Sequence, residues 1–473
     1  MKRLCKISLG AAMCSLSACM TVGPDYRVPD KALVNLPKAQ AAFVDIDGAK
    51  GVDAGHTVAD DWWKLYDDPL LSQLISQALA TNAGLRTANA NLSRANAIYD
   101  QAKHAGGFGY HAVAAVQRAQ LSAETFLLSE KLPVVNLADA ALSASYEVDL
   151  FGKFRRSAEA ALADTQASEA ALDLARMHVV AEVARTYMDS CHATHELSIA
   201  QRSLDLQLRV ANLTQRLHST GRGAPTDLSR AKAQADLLRA RLPLLRARKK
   251  NAQYALSALL GHTPGDLPSG VDHCGEAPVL GRPIPLGDGM ALLQRRPDVR
   301  AAERRLAGAT ARIGVATAEL YPDVKLGASV GAAGLLDGFG KAPTREWSFG
   351  PLISWTFPTR GAQARLRATE AGADAALAQF DQTVLNALRD TQTALNNYAQ
   401  RLDHQAALRA ALAEARNAAE QNRALFRGGR VPYLTSLDAD RTLASAEAAV
   451  ADTDAQISLD QINLFLALGG SWK

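Results

Sequence analysis

The chain has 473 residues, 48% of them hydrophobic but only 5% aromatic, with 52 Lys and Arg against 48 Asp and Glu. Three of the basic residues and none of the acidic ones lie in the first 18, so the formal charge of +4 falls to +1 beyond them. No like-charge run offers nucleic acid an electrostatic footprint, and beyond residue 18 no apolar run approaches the ~20 residues of a membrane helix.

Lys2, Arg3 and Lys6 precede the apolar stretch Ile7 to Leu16, which is the layout of a secretory signal peptide over 1–18. Leu16-Ser17-Ala18-Cys19 resembles the lipobox of bacterial lipoproteins. The resemblance implies cleavage before Cys19 and acylation of its thiol. Met20 stands where Asp would signal retention in the inner membrane, so an outer-membrane anchor is implied. Residues 19–60 are then a lipidated, extended N-terminal segment. Cys5 and Cys14 leave with the signal peptide, and Cys191 and Cys274 remain. The compartment permits a disulfide between them. Cys191, however, continues the apolar stripe Leu174, Met177, Ala181, Ala184, Met188, which predicts a buried thiol.

The chain contains itself twice. "LRTANANLSRANAI" from Leu85 answers "VRAAERRLAGATARI" from Val299, and "GRGAPTDLSRA" from Gly221 answers "GRVPYLTSLDA" from Gly429. Two matches in the same order at similar offsets indicate a duplicated unit of about 210 residues. The repeats are assigned to 61–270 and 290–473, with a linker over 271–289. Apolar residues alternating at three and four positions predict coiled-coil helices in both. No proline interrupts the chain from Gly152 to Gly221 or from Gly361 to Gly428. Each stretch, if helical, spans roughly 100 Å. Pro243 lies inside a later helical pattern and predicts a bend.

Strands are predicted over about 107–118, 139–150, 323–332 and 347–357. In "ALSASYEVDL" Leu142, Ala144, Tyr146, Val148 and Leu150 alternate with polar residues, and "SFGPLISWTF" and "DVKLGASVG" alternate likewise. Tyr110 to Gln117 alternates poorly. Alternating runs of about ten residues suit a membrane strand with one face in lipid. Four strands cannot close a barrel, whereas two copies supply eight and three supply twelve.

"CMTVGPDYRVP", "DWWKLYDDPLLSQLISQAL", "YEVDLFGKFRR", "RRPDVRAAERRLAGATARIGVA", "YLTSLDADR" and "ALGGSW" occur in that order. On these stretches the chain resembles the TolC-like outer-membrane efflux factors, in their lipoprotein branch. The resemblance implies a mainly α protein with membrane β: a homotrimer forming a 12-stranded barrel and a long periplasmic α-helical coiled-coil tunnel. It places Gly261 to Gly289 and the termini in an equatorial belt. The tips Gly221, Gly223, Pro225 and Gly428, Gly429, Pro432 are expected to meet a periplasmic adaptor protein that joins an inner-membrane pump. Leu434 and Asp438 are expected to narrow the tunnel aperture, with Arg441 as the partner of Asp438. Asp440 stands where the family more often has Gln. The implied function is a passive exit duct for small toxic compounds. A protein-secretion duct and a lipid-anchored structural coiled coil are the alternatives.

No residue pattern supports catalysis. "HATHE", His192 to Glu196, lacks the metalloprotease order and is expected to carry surface histidines. "GFGK", ending at Lys341, lacks the glycine and hydroxyl of a phosphate loop. The covalent lipid on Cys19 is the sole attached group expected, and no metal site is. Cys19→Ser should abolish incorporation of labelled fatty acid in cells; retained labelling would exclude Cys19 as the acylated residue.

Overall fold

The computed structural model describes residues 21–44, 50–53, 55–56, 60–127 and 129–470. Cys19 and the signal peptide lie outside the described residues. The helices are α1 (Pro37–Gln40), α2 (Pro69–Thr81), α3 (Ala83–His104), α4 (Lys153–Ser219), α5 (Pro225–Leu259), α6 (Gly289–Arg295), α7 (Pro297–Ala318), α8 (Arg360–Arg427) and α9 (Tyr433–Ala467). The strands are β1 (Val52–Asp53), β2 (Phe108–Ala119), β3 (Val135–Val148), β4 (Ile284–Pro285), β5 (Asp323–Leu335) and β6 (Arg345–Ser354). Helices α4 and α8 run for 67 and 68 residues, as the proline-free stretches allow. Helix α5 continues through Pro243, whose side is exposed.

The chain divides into two compact units. The first comprises the segment ending at Pro29, Leu92–Ser168 and Ala302–Phe380. It holds an antiparallel sheet in the order β2-β3-β5-β6. Register sorts its side chains. Tyr110, Ala144, Ala328 and Phe349 align across the four strands, and beside them Ala112, Leu142, Val330 and Trp347. The intervening rows are His111, Ser143, Ser329, Ser348 and Gly109, Ser145, Gly327, Gly350. Successive residues of a strand face opposite ways. One face is therefore apolar and aromatic and the other small and polar. The apolar face is uncovered: Trp347 is 80% exposed and Phe349 76%. On the polar face the Ser329 and Ser348 hydroxyls lie 2.7 Å apart, and Lys325 pairs with Glu147 at 2.9 Å. Strands β2 and β6 each keep one edge unpaired within the chain.

The second unit comprises Asp30–Asn91, Glu169–Ala301 and the chain from Asp381 onward. Its core gathers Trp62, Leu71, Leu74, Ile75, Met188, Leu256, Ile284 and Phe465. Trp62 stacks on Phe465 with ring centroids 4.7 Å apart. Asp68 caps α2 by accepting from the Leu71 amide at 2.9 Å, and its other oxygen accepts from the Tyr187 hydroxyl at 2.9 Å. Strands β1 and β4 pair in parallel through Val52 and Ile284.

Two expectations are corrected here. Cys191 is buried, but not as a thiol: it forms a disulfide with Cys274, 83 residues away, with Cα atoms 4.9 Å apart. The apolar stripe carried Cys191 inward, and the irregular segment before β4 brings Cys274 onto it. His192 is not at the surface. It is buried, its Nε2 lies 2.9 Å from the Ser458 hydroxyl, and burial depresses its pKa to about 4. Glu196 of the same motif pairs with Arg248 at 2.9 Å.

Closing a loop of this length stabilises a chain by on the order of 4 kcal/mol. Cys274→Ser, or reduction of the native protein, should lower the thermal unfolding midpoint by several degrees, read by circular dichroism. An unchanged midpoint would mean that the bond adds no stability.

Candidate functional site: the paired helix turns

Two turns reverse the long helices, both in the second unit. At the first, the Gly221 amide donates to the His218 carbonyl at 3.0 Å and the Arg222 amide to the Leu217 carbonyl at 2.8 Å. At the second, Gly429 donates to Phe426 at 3.0 Å and Arg430 to Leu425 at 2.9 Å. Both are Schellman caps, which need a left-handed residue just beyond the helix. Gly221 has φ +72° and Gly429 +69°, where side chains are disfavoured. Pro225 then opens α5, and Pro432 sits at the N-cap of α9. Gly223 backs onto the Leu217 side chain, and Gly428 continues the α8 ladder through the Ala424 carbonyl. The first loop holds one residue more than the second between its left-handed glycine and its proline.

Behind the turns four helices converge. Ala211 of α4, Ala231 of α5 and Leu437 of α9 form a buried cluster, with Val210 and Phe426 packed on it. Leu437 therefore faces inward. Leu434, Asp438 and Arg441, at spacings of four and three, share the exposed face of α9. No ion pair joins Arg441 to Asp438 among the described residues.

Asp440 points the other way and pairs with Arg423 of α8 at 2.8 Å. Burial raises its pKa, and Arg423 offsets only part of that. The same pairing recurs seven residues further along each helix, as Arg416 with Glu447 at 3.7 Å, and again as Arg409 with Asp454 at 3.4 Å. Arg401 with Asp460, at 3.0 Å, continues the series. Helices α8 and α9 are thus joined by a ladder of charges. Near their turn, helices α4 and α5 are joined by Leu204, Ala235, Leu238 and Leu242, and further from it by Arg248 with Asp189 and Glu196. A cavity of about 390 Å³ beside the ladder is lined by Leu206, Val210, Phe426, Ser436 and Asp440. The sequence reading missed Arg423. Its signal was available, since residues nearly equidistant from a helix turn lie opposite each other.

The family model for outer membrane efflux proteins matches residues 74–262 and 290–470. The outer-membrane channel OprN, a solved structure, is 35% identical in sequence, with a TM-score of 0.87 over 95% of this chain and 99% of its own. Outer membrane protein OprJ of Pseudomonas aeruginosa is 31% identical, over 87% of this chain and 86% of its own length. The cation efflux system protein CusC of Escherichia coli O157:H7 is 27% identical over 99% of both chains.

The raised pKa of Asp440 gives a signed prediction. A carboxyl whose folded pKa lies above its unfolded one stabilises the fold below the unfolded value, and that stability is lost as pH rises through the folded value. Native protein should therefore gain stability on mild acidification relative to Asp440→Asn. Arg423→Ala, which strands the carboxylate, should cost about 1–3 kcal/mol at neutral pH. Thermal midpoints of the three proteins against pH would check both; identical pH profiles for native and Asp440→Asn would refute the account.

Proposed function

This chain belongs to the outer membrane efflux protein family, and we propose that it works as the passive exit duct of a tripartite efflux system. It is an outer-membrane channel component of the TolC-like fold, mostly helical. The observation that carries the finer reading is the sheet register, which puts aromatic and aliphatic side chains on one face and Ser, Gly and charged residues on the other. Such a sheet suits a wall between lipid and water. Its free β2 and β6 edges call for further copies, because hydrocarbon offers an open edge no hydrogen-bond partner.

Three copies give a twelve-stranded barrel in the outer membrane, and their helices a tunnel in the periplasm. The turns around Gly221 to Pro225 and Gly428 to Pro432 meet the periplasmic adaptor, which links the duct to an inner-membrane pump. Leu434 and Asp438, exposed on one face of α9, line the aperture in the trimer, and Arg441 answers Asp438 there. The lipid on Cys19 anchors each chain. A duct for secreted proteins shares this architecture, whereas a purely structural coiled coil leaves the uncovered aromatic sheet face without a use. CusC is named for cations, but a passive duct draws its substrate from its pump, and small toxic compounds are the proposed cargo here.

Native mass measurement of detergent-extracted protein should give trimers, and a stable inserted monomer would contradict the edge argument. In planar bilayers Asp438→Asn should weaken cation preference at low salt. The difference should fade near 1 M salt, where the Debye length is about 3 Å. Leu434→Ala and Arg441→Ala should raise conductance at unchanged trimer yield. A permeability ratio untouched by Asp438→Asn would remove Asp438 from the aperture.

A further inference from the structure

The duct reading gives no role to the cavity of about 390 Å³ beside the charge ladder. Leu206, Val210 and Leu213 of α4 and Phe426 of α8 supply its apolar walls. The three α4 residues stand four and three apart and so share one helix face. A face of this kind is ordinarily closed by a neighbouring helix, yet Leu206 and Leu213 remain 44% and 42% exposed. The volume falls within the roughly 300–1,000 Å³ of small-molecule sites.

Two further observations point to what it would hold. The first is charge. Asp440 and Arg423 line the cavity and answer each other at 2.8 Å. Arg209 of α4 and Arg427 of α8 line it too, and neither forms an ion pair among the described residues. The Arg427 Nε donates only to the Arg423 carbonyl, at 3.3 Å. Two positive charges from two helices are thus in surplus, and an anion between them would relieve their repulsion. The second is Ser436 of α9, which lines the cavity at 3% exposure. Its hydroxyl has no hydrogen-bond partner among the described residues. Thr214 and Thr442 each donate to the carbonyl four residues earlier. For Ser436 that carbonyl belongs to the extended N-cap Pro432, and it accepts from the Thr435 amide at 3.2 Å instead. A buried hydroxyl left so costs free energy until a ligand meets it.

We propose that this cavity is a binding site for a small amphiphilic anion: an apolar, ring-bearing body with a carboxylate for Arg209 and Arg427 and a hydroxyl for Ser436. A guanidinium offers a carboxylate a planar fork of donors, which favours this anion over a neutral polar group. The apolar walls take the body, and the Asp440–Arg423 pair, already neutral, does not oppose the charge. A ligand seated there touches α4, α8 and α9 together. None of Leu434, Asp438 and Arg441 lines the cavity, so the site is distinct from the proposed aperture and does not depend on it.

Isothermal titration of the full-length protein in a nonionic detergent tests this with para-hydroxyphenylbutanoate, its neutral amide, and phenylbutanoate. The hydroxy acid should bind about tenfold more tightly than the amide and about threefold more tightly than phenylbutanoate. Arg209→Gln combined with Arg427→Gln should erase the preference for acid over amide; both side chains are exposed, so the fold should survive. Ser436→Ala should erase the preference for the hydroxyl and keep the other. Arg202→Gln, at an exposed arginine seven residues before Arg209 and outside the cavity, should change neither. Equal binding of acid and amide would overturn the proposal. So would an equal loss in Arg202→Gln, which would reveal only general attraction to a basic surface. A hydroxyl preference that survives Ser436→Ala would overturn the role of Ser436. Binding of none of the probes would overturn the whole and leave the cavity to a side chain of another protein.

Discussion

A backbone N–H or C=O that faces hydrocarbon without a partner costs several kcal/mol, and β2 and β6 each present a row of them along one edge. The apolar face of the same sheet cannot retreat into water, because Trp347, Phe349 and Tyr110 stand on it uncovered. In the proposed assembly, sheets from several copies joined edge to edge meet both demands. The four strands of the sheet come from two separate stretches of the chain, β2 with β3 and β5 with β6.

The two turns are more alike than the forces that join the helices next to them. Both turns close with the same two hydrogen bonds around a left-handed glycine. Above the first, α4 and α5 interlock through Leu204, Leu238 and Leu242. Above the second, α8 and α9 meet through arginines on one helix and carboxylates on the other. Salt screens half-exposed ion pairs and leaves apolar contacts unscreened. Near the turns, therefore, the second helix pair is the more sensitive to salt; further along, α4 and α5 carry ion pairs of their own, Arg248 with Asp189 and Glu196.

Much of this could be read from the sequence, for physical reasons that also mark where reading stopped. Strand β6 was legible because Phe349 and Ile353 fall on one face and Ser348 and Ser354 on the other. β2 was nearly illegible, because Ala112 and Ala114 stand on its apolar face and Val113 on its polar one. Only its register with Leu142 and Ser143 sorts them. The long helices were legible from the absence of proline. Cys191–Cys274 was not, since nothing in an irregular segment 83 residues away announces where it will fold back. At the turns, the exposed face of Leu434, Asp438 and Arg441 followed from helical spacing. The pairing of Asp440 with Arg423 needed the hairpin geometry, 17 residues across the turn.

The disulfide encloses the lower part of α4, the first turn and all of α5. Among the described residues no such bond encloses α8 and α9. Under tension the two hairpins are consequently unlike machines. Pulled at its turn, the first is a closed loop whose ends cannot separate without breaking a covalent bond. The second has no covalent closure and is held by its charge ladder and by the buried side chains of Leu395, Tyr398, Ile457 and Phe465.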